Sequence, residues 1–236
     1  MAVEYDSSYI LYMIYLEAIQ PDIFIGNFRL QEPVTTITDV ILGIYCLYTA
    51  YQLKKINTST IAFNYLVTHL LLLGIAVLIG GTLGHGFQYL LSPSWKIPGW
   101  YISMIAVMFM ERSSIEYIKD KVSHKLHKAL LIINLIELIV IMVLASITLD
   151  FFWVEFHSVY GLLIVVFPCH LYNYTKTKDP ASRKMLYGIA ILVLAIFVFN
   201  YPVILSIWFT NYDFAHTLML LSIICFYQAG KLFQAD

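Results

Sequence analysis

The chain has 236 residues, 60% of them hydrophobic and 12% charged, about half the charged share of an average soluble domain; it reads as a polytopic membrane protein. Its formal net charge of −1 leaves no basic surface for nucleic acid, and that class of partner is excluded. The cysteines Cys46, Cys169 and Cys225 stand far apart, which excludes a disulfide framework and thiol chemistry.

The first residues, "MAVEYDSSYI", are acidic and carry no positively charged stretch and no small-residue cleavage site, so no secretory signal stands out. The stretch "SSYILYMIYLEAIQPDIFIGNF" is apolar and Tyr-rich but broken by Glu17, Pro21 and Asp22. It is expected to form an interfacial helix and loop within a 1–32 segment rather than a span. A hydrocarbon core needs about 20 residues of helix, and seven such runs follow: Val34–Leu53, Ile61–Leu91, Pro98–Ile118, Ala129–Leu149, Phe151–Tyr174, Lys184–Phe209 and Tyr212–Ala229. The expected architecture is all-α, a seven-transmembrane bundle over residues 33–230 with a short tail at 231–236.

Positive charge sets the orientation. Lys54 and Lys55 follow span 1, Lys119, Lys121, Lys125 and Lys128 follow span 3, and Lys176, Lys178, Arg183 and Lys184 follow span 5. Lys231 follows span 7, against Arg29 and Lys96 on the opposite side and Arg112 inside span 3. The N-terminus is expected outside and the C-terminus in the cytoplasm. The sequons at Asn57 and Asn173 then face the cytoplasm and should carry no glycan. Trp95, Trp100, Trp153, Trp208 and Tyr212 near span ends read as interfacial anchors. Pro98, Pro168 and Pro202 are expected to kink their spans.

At 1.5 Å per residue, directions convert into depths. Asp39 of span 1 lies about 9 Å below the outer surface, with Thr35, Thr36 and Thr38 above it. His85 of span 2 and His157 of span 5 lie about 10 Å down, and His216 of span 7 about 7 Å down. Ionisable groups inside a membrane are costly and face the bundle interior or a wet cavity, so a shared layer of four marks a candidate site. Three imidazoles with an open position are the ligand set of a catalytic zinc, which activates its bound water near neutral pH. His85, His157 and His216 are the expected zinc ligands. Asp39 is expected to orient a ligand, to be a fourth one, or to accept the water's proton. Asp213, three residues before His216, shares its face and can orient its imidazole. Gly80, Gly81, Gly84 and Gly86 let span 2 approach its neighbours closely.

A second polar layer, His69, Glu111, Arg112, Asn134 and Glu137, lies deeper. It reads as an ion-pair network in which Arg112 neutralises one glutamate. Glu155, two residues before His157 and off its face, reads as solvated, and His124 and His127 as exposed in a basic loop.

The seven-span plan and the "GGTLGHGF" stretch at residues 80–87 resemble the membrane hydrolase superfamily that holds the alkaline ceramidases and the progestin and adipoQ receptors. The resemblance implies a zinc held by three histidines between spans, with a serine and an aspartate nearby, hydrolysing lipid amides. His85 matches the family's span-2 histidine, and Thr82 stands one position off the place of its serine. His216 matches one of two span-7 histidines that the family spaces four apart. Tyr212 and Leu220 flank it at that spacing here, so His157 is needed as third ligand, and Asp39 substitutes by depth for the family's acidic residue on span 3.

The expected activity is therefore zinc-dependent hydrolysis of an amide or ester in a lipid-like substrate, in the outer third of the bilayer. Asp39 would take the water's proton and Thr36 or Tyr160 steady the carbonyl. The substrate would enter sideways from the membrane lipids, under a lid made by the N-terminal segment. Two alternatives from other classes stand beside it: a b-type haem held by a pair of these histidines for electron transfer, and a non-catalytic sensor or transporter with a histidine switch. A retinal protein is excluded, because no Lys lies in the body of span 7.

Overall fold

The computed structural model describes residues 20–56, 60–201 and 205–233. The expectations for residues 1–19, Asn57, Pro202 and the last three residues of the tail lie outside the described residues.

Two short strands come first, β1 (Ile23–Ile25) and β2 (Phe28–Leu30), paired antiparallel with Phe24 opposite Arg29. Gly26, at φ 62°, makes the turn between them, a left-handed conformation that costs glycine little. A hairpin therefore occupies part of the stretch expected to be interfacial helix and loop. Two short stretches rich in Ile and Phe, joined by Gly26-Asn27, favour strand pairing over helix here.

Seven helices follow: α1 (Pro33–Lys54), α2 (Ile61–Gly86), α3 (Ile97–Tyr117), α4 (His124–Thr148), α5 (Phe152–Thr177), α6 (Pro180–Asn200) and α7 (Asn211–Gly230). Five of them, α1, α2, α4, α5 and α6, are long and apolar enough to cross a membrane. Their starts carry local signals. Thr60 accepts from the Phe63 N–H at 3.3 Å to cap α2, and Ser123 caps α4 through Leu126. Asp179 caps α6, and Thr210 with Asp213 forms a capping box on α7, each satisfying amides that a helix start leaves unbonded.

Side-chain packing closes six helices into a ring, in the order α1, α2, α3, α5, α6, α7, with α4 outside against α3 and α5. Leu42, Cys46, Leu66, Leu70, Met185 and Phe226 fill the joint of α1, α2, α6 and α7. Met104, Leu138, Ile141 and Val154 join α3 to α4 and α5. Peripheral α4 leaves Ile132, Ile136, Ile139, Val143 and Ile147 exposed, an apolar face that suits lipid rather than water.

Two helices widen into π-turns, α2 over Gly80–Gly86 and α5 over Gly161–Val166. The second directly precedes Pro168, whose ring removes one backbone donor, so the ladder is re-registered there. Pro98 lies in the first turn of α3, where a proline fits the helix and no kink follows.

At the end of the bundle far from the hairpin, Asp179 accepts from Tyr117 Oη and Asn173 Nδ2, both at 3.0 Å. Asn173, the asparagine of the second sequon, is wholly buried and also bonds Lys121. His127, half-buried rather than free in its loop, bonds Glu116 at 3.1 Å because α4 starts five residues before the apolar run and carries it back onto α3.

Candidate functional site

The hairpin sits on the end of α2. Gln31 donates its backbone N–H to Gly86 O at 3.1 Å, the Tyr89 hydroxyl donates to Arg29 O at 3.1 Å, and Phe28 meets Phe87 edge to face. Glu32 then enters α1 in a left-handed conformation, φ 40° and ψ 57°, which costs a non-glycine residue about 1–2 kcal/mol. That turn aims its carboxylate at His85 Nδ1, with which it bonds.

Three of the expected site residues meet beneath this bond. His216 Nε2 lies 3.2 Å from Asp39 Oδ1, and His85 Nε2 lies 3.9 Å from Asp39 Oδ2. Asp39 is buried against the glycine face of α2: a Cβ on Gly81 would stand 2.4 Å from Asp39 Cβ. The other nitrogen of each imidazole is also held. His216 Nδ1 lies 2.9 Å from the Thr38 hydroxyl, which in turn has the Thr35 carbonyl at 3.0 Å and the Asp213 carboxylate at 3.4 Å. Those two oxygens only accept, so the single hydroxyl proton goes to one of them and His216 Nδ1–H donates to Thr38. By the same reasoning His85 Nδ1–H donates to Glu32. Both Nε2 atoms are turned toward one carboxylate.

Asp213 therefore acts on His216 only through Thr38. Its own oxygens accept from Gln20 at 2.7 Å, Thr35 at 2.9 Å and the Thr210 backbone at 2.6 Å, because as third residue of its helix it completes the cap.

His157 is not with them. Its wholly buried ring donates through Nε2 to Met104 O at 3.0 Å and turns Nδ1 to Glu137, at 2.9 and 2.8 Å from its two oxygens. It faces α3 and α4, on the opposite side of α5 from the Asp39 group. Depth counted from assumed span ends gives neither the true neighbours in height nor the direction around the bundle, and His157 meets Glu137 of the layer expected to lie deeper. The expected three-histidine set is thus divided between two places.

Thr36, Thr82 and Tyr160 stand apart from Asp39 as well. The Thr36 hydroxyl donates to Gln31 O at 3.3 Å, and its side chain packs against Gly86. Thr82 donates to Leu78 O at 2.6 Å, one turn back along its own helix. Tyr160 packs with Ile115, Val165 and Cys169. In the deeper layer Arg112 reaches Glu111 only by way of Asn134, to which Nε donates at 2.8 Å and which donates to Glu111 Oε2 at 3.0 Å. The Glu32–His85 and Glu137–His157 contacts are the ones that sequence reasoning missed. The one signal for Glu32 was an acidic residue immediately before the proline that opens a span.

A cavity of about 650 Å³ lies inside the ring, within the usual range for small-molecule sites. At the hairpin end its wall carries Glu32, His85, Gln88, Lys96, Glu155, Tyr212 and His216; deeper, it is made of side chains such as Leu73, Val77, Met110, Leu192, Met219 and Phe226, with His69 among them. Burial draws the Lys96 ammonium below its ordinary value, with Glu32 opposing the change. His69 donates through Nδ1 to Ala106 O at 2.8 Å, and its Nε2 has no hydrogen-bond partner among the described residues.

Residues 34–235 match the model of a family of unknown function, DUF6962, and the chain belongs to that family. No curated protein and no solved structure matches it.

Proposed function

We propose that the protein is a seven-span membrane enzyme, N-terminus outside and C-terminus cytoplasmic, in which His85, His216 and Asp39 hold a zinc ion that hydrolyses an amide or ester of a lipid-like substrate. One observation carries the reading: Nε2 of His216 and Nε2 of His85 flank the Asp39 carboxylate, 3.2 and 3.9 Å from its two oxygens, while a hydrogen-bond partner holds each outer nitrogen. The three would draw closer together to share an ion, since among the described residues only Glu111, Glu137 and His157 place their ligand atoms within 4.8 Å of one another. Metal-binding histidines are held in this way, and two histidines with a carboxylate suit zinc, although iron accepts the same set.

The donor types suit the ion, which when bound would supply a water acidic enough to act near neutral pH and a positive centre for the developing oxyanion. The residues of the chain do the rest. Glu32 and Thr38 fix the two rings in the tautomers that present Nε2. Asp39 would complete the set through Oδ1, the oxygen nearer His216, which would leave Oδ2 free to take a proton from water. The apolar depth of the cavity takes an aliphatic chain, and the polar wall at the hairpin end, with Lys96 and Gln88, faces the head group.

The seven-span reading rests on the five apolar helices, the exposed apolar faces and the one-sided lysines. The hydrolase reading has the short "GGTLGHGF" resemblance beside the site geometry. A haem bridging the two imidazoles would have to displace Asp39 from between them, so the electron-transfer alternative has no support in this arrangement.

The test is metal content and hydrolysis on purified wild type, with a panel of long-chain amides and esters. His85→Ala, His216→Ala and Asp39→Asn should each lose the same one ion per chain and the activity. Full metal content and unchanged turnover in all three variants would overturn the proposal.

A further inference from the structure

The deeper layer of expected polar residues gains a member in the fold. Ligand atoms of Glu111, Glu137 and His157 all lie within 4.8 Å of one another, the single group of this kind among the described residues. The three come from three helices, α3, α4 and α5. Glu111 and His157 are wholly buried, and 12% of the Glu137 side chain is exposed.

Hydrogen bonding assigns the protons. Met104 O can only accept, so the His157 nitrogen 3.0 Å from it, Nε2, carries the hydrogen. Nδ1 then faces both oxygens of Glu137, and something positive must lie between them. A proton on Nδ1 would serve Glu137 alone. Glu111 Oε1, in the same group and wholly buried, has no hydrogen-bond partner among the described residues. An unpaired buried carboxylate oxygen is expensive. Arg112 does not meet it, since its guanidinium is committed to Asn134 Oδ1 and, at 3.5 Å, to Leu131 O. Asn134 donates to Glu111 Oε2 and to Met108 O, not to Oε1. One cation among the three ligand atoms satisfies Glu137, Glu111 Oε1 and the Nδ1 lone pair together.

We propose that Glu111, Glu137 and His157 form a second, structural metal site that takes a divalent transition cation, zinc or manganese, and ties peripheral α4 to α3 and α5. Two carboxylates and a neutral imidazole balance a double positive charge and suit such ions. Donation from the other ring nitrogen to a backbone carbonyl is the usual support for a metal-bound histidine. The location agrees, because α4 lies outside the ring and buries little besides Asn134, Leu138, Ile141 and Ala145.

The experiment uses full-length protein in detergent, stripped with chelator and titrated with Zn²⁺ alone and with Mn²⁺ alone. Bound metal per chain and the thermal midpoint are both read. Wild type should hold two ions. Glu111→Gln should hold one and lose the part of the metal-induced rise in midpoint that His85→Ala retains; His85→Ala should also hold one, and the double variant none. Glu137→Gln, at a less buried position, repeats the test if Glu111→Gln fails to fold. If Glu111→Gln and Glu137→Gln bind and respond as wild type does, or if wild type binds only an ion that His85→Ala removes, the inner site is overturned while the outer one stands. A wild type that binds a single ion, lost in Glu111→Gln but kept in His85→Ala, supports the inner site and removes the outer.

Discussion

Gly81→Ala tests the packing that sets Asp39 between its two histidines. The added Cβ would stand 2.4 Å from Asp39 Cβ and 3.1 Å from its Oδ2, whereas carbon atoms sit comfortably at about 3.5–4.0 Å. Asp39 or the π-turn of α2 must therefore yield by about 1 Å. Overpacking of this kind costs about 1–3 kcal/mol. A displacement of about 1 Å in a reacting geometry costs about 10²-fold in rate. Gly80 and Gly84 are matched controls in the same π-turn, for a Cβ at either meets nothing within 4 Å. Alanine at those positions should leave the site intact and gain up to about 1 kcal/mol through helix propensity. The assay is zinc affinity of the His85–His216 site, measured in the Glu111→Gln background so that only one ion is counted, followed by turnover of the amide or ester found to react. Gly81→Ala should fall about 10²-fold below Gly80→Ala in turnover. If the two alanine variants bind and turn over alike, the reasoning is wrong.

Glu32→Gln keeps the side-chain shape but weakens the hold on His85 Nδ1, and metal affinity should drop about 10–100-fold; Glu32→Gly should lose affinity similarly yet relieve the left-handed strain, so its thermal midpoint should exceed that of Glu32→Gln. Gly161→Ala would place a Cβ 2.6 Å from Glu111 Oε1 and should lower metal occupancy of the inner site without changing the outer one. Gly80→Leu, at a position that lines the cavity with open space beside it, should on the proposed hydrolase reading shift kcat/KM toward shorter chains across a homologous ester series. Burial pushes the Asp179 carboxyl up, but bonds from the Ser182 backbone and hydroxyl, Tyr117 and the Ala181 backbone outweigh it and hold the group below its ordinary value. Its stabilisation is therefore present above the unfolded carboxylate value, about 3.9, and is lost as pH falls through the lower folded value. Asp179→Ala should cost about 0.5–2 kcal/mol at neutral pH and flatten the loss of thermal stability on acidification; an unchanged acid limb would count against that cap.

Hydropathy and charge made the helices legible because both act over twenty residues at a time. Ends were less so. The second span was expected to reach Leu91 but its helix stops at Gly86, where the hairpin bonds to it, and α4 begins at His124 because the Ser123 cap extends it beyond its apolar part. In the candidate site Asp39, His85 and His216 were found by depth alone. Depth failed for His157, since counting from assumed span ends misses its partners in the layer expected to lie deeper and leaves the facing of each helix open; ring closure through α3 and α5 turns that side chain to Glu137 of α4. Glu32 was hidden by its backbone: nothing in the residues before Pro33 announces a left-handed turn that points a carboxylate at His85.

The central claim is that His85, His216 and Asp39 share one metal ion, and metal analysis of chelator-stripped, zinc-reloaded Glu111→Gln protein tests it most directly. The account predicts one zinc per chain, lost in the double variants that add His85→Ala, His216→Ala or Asp39→Asn and kept in the one that adds Thr82→Ala, whose hydroxyl only bonds its own helix. A zinc that survives all three ligand substitutions, or no zinc in the folded parent, would contradict it.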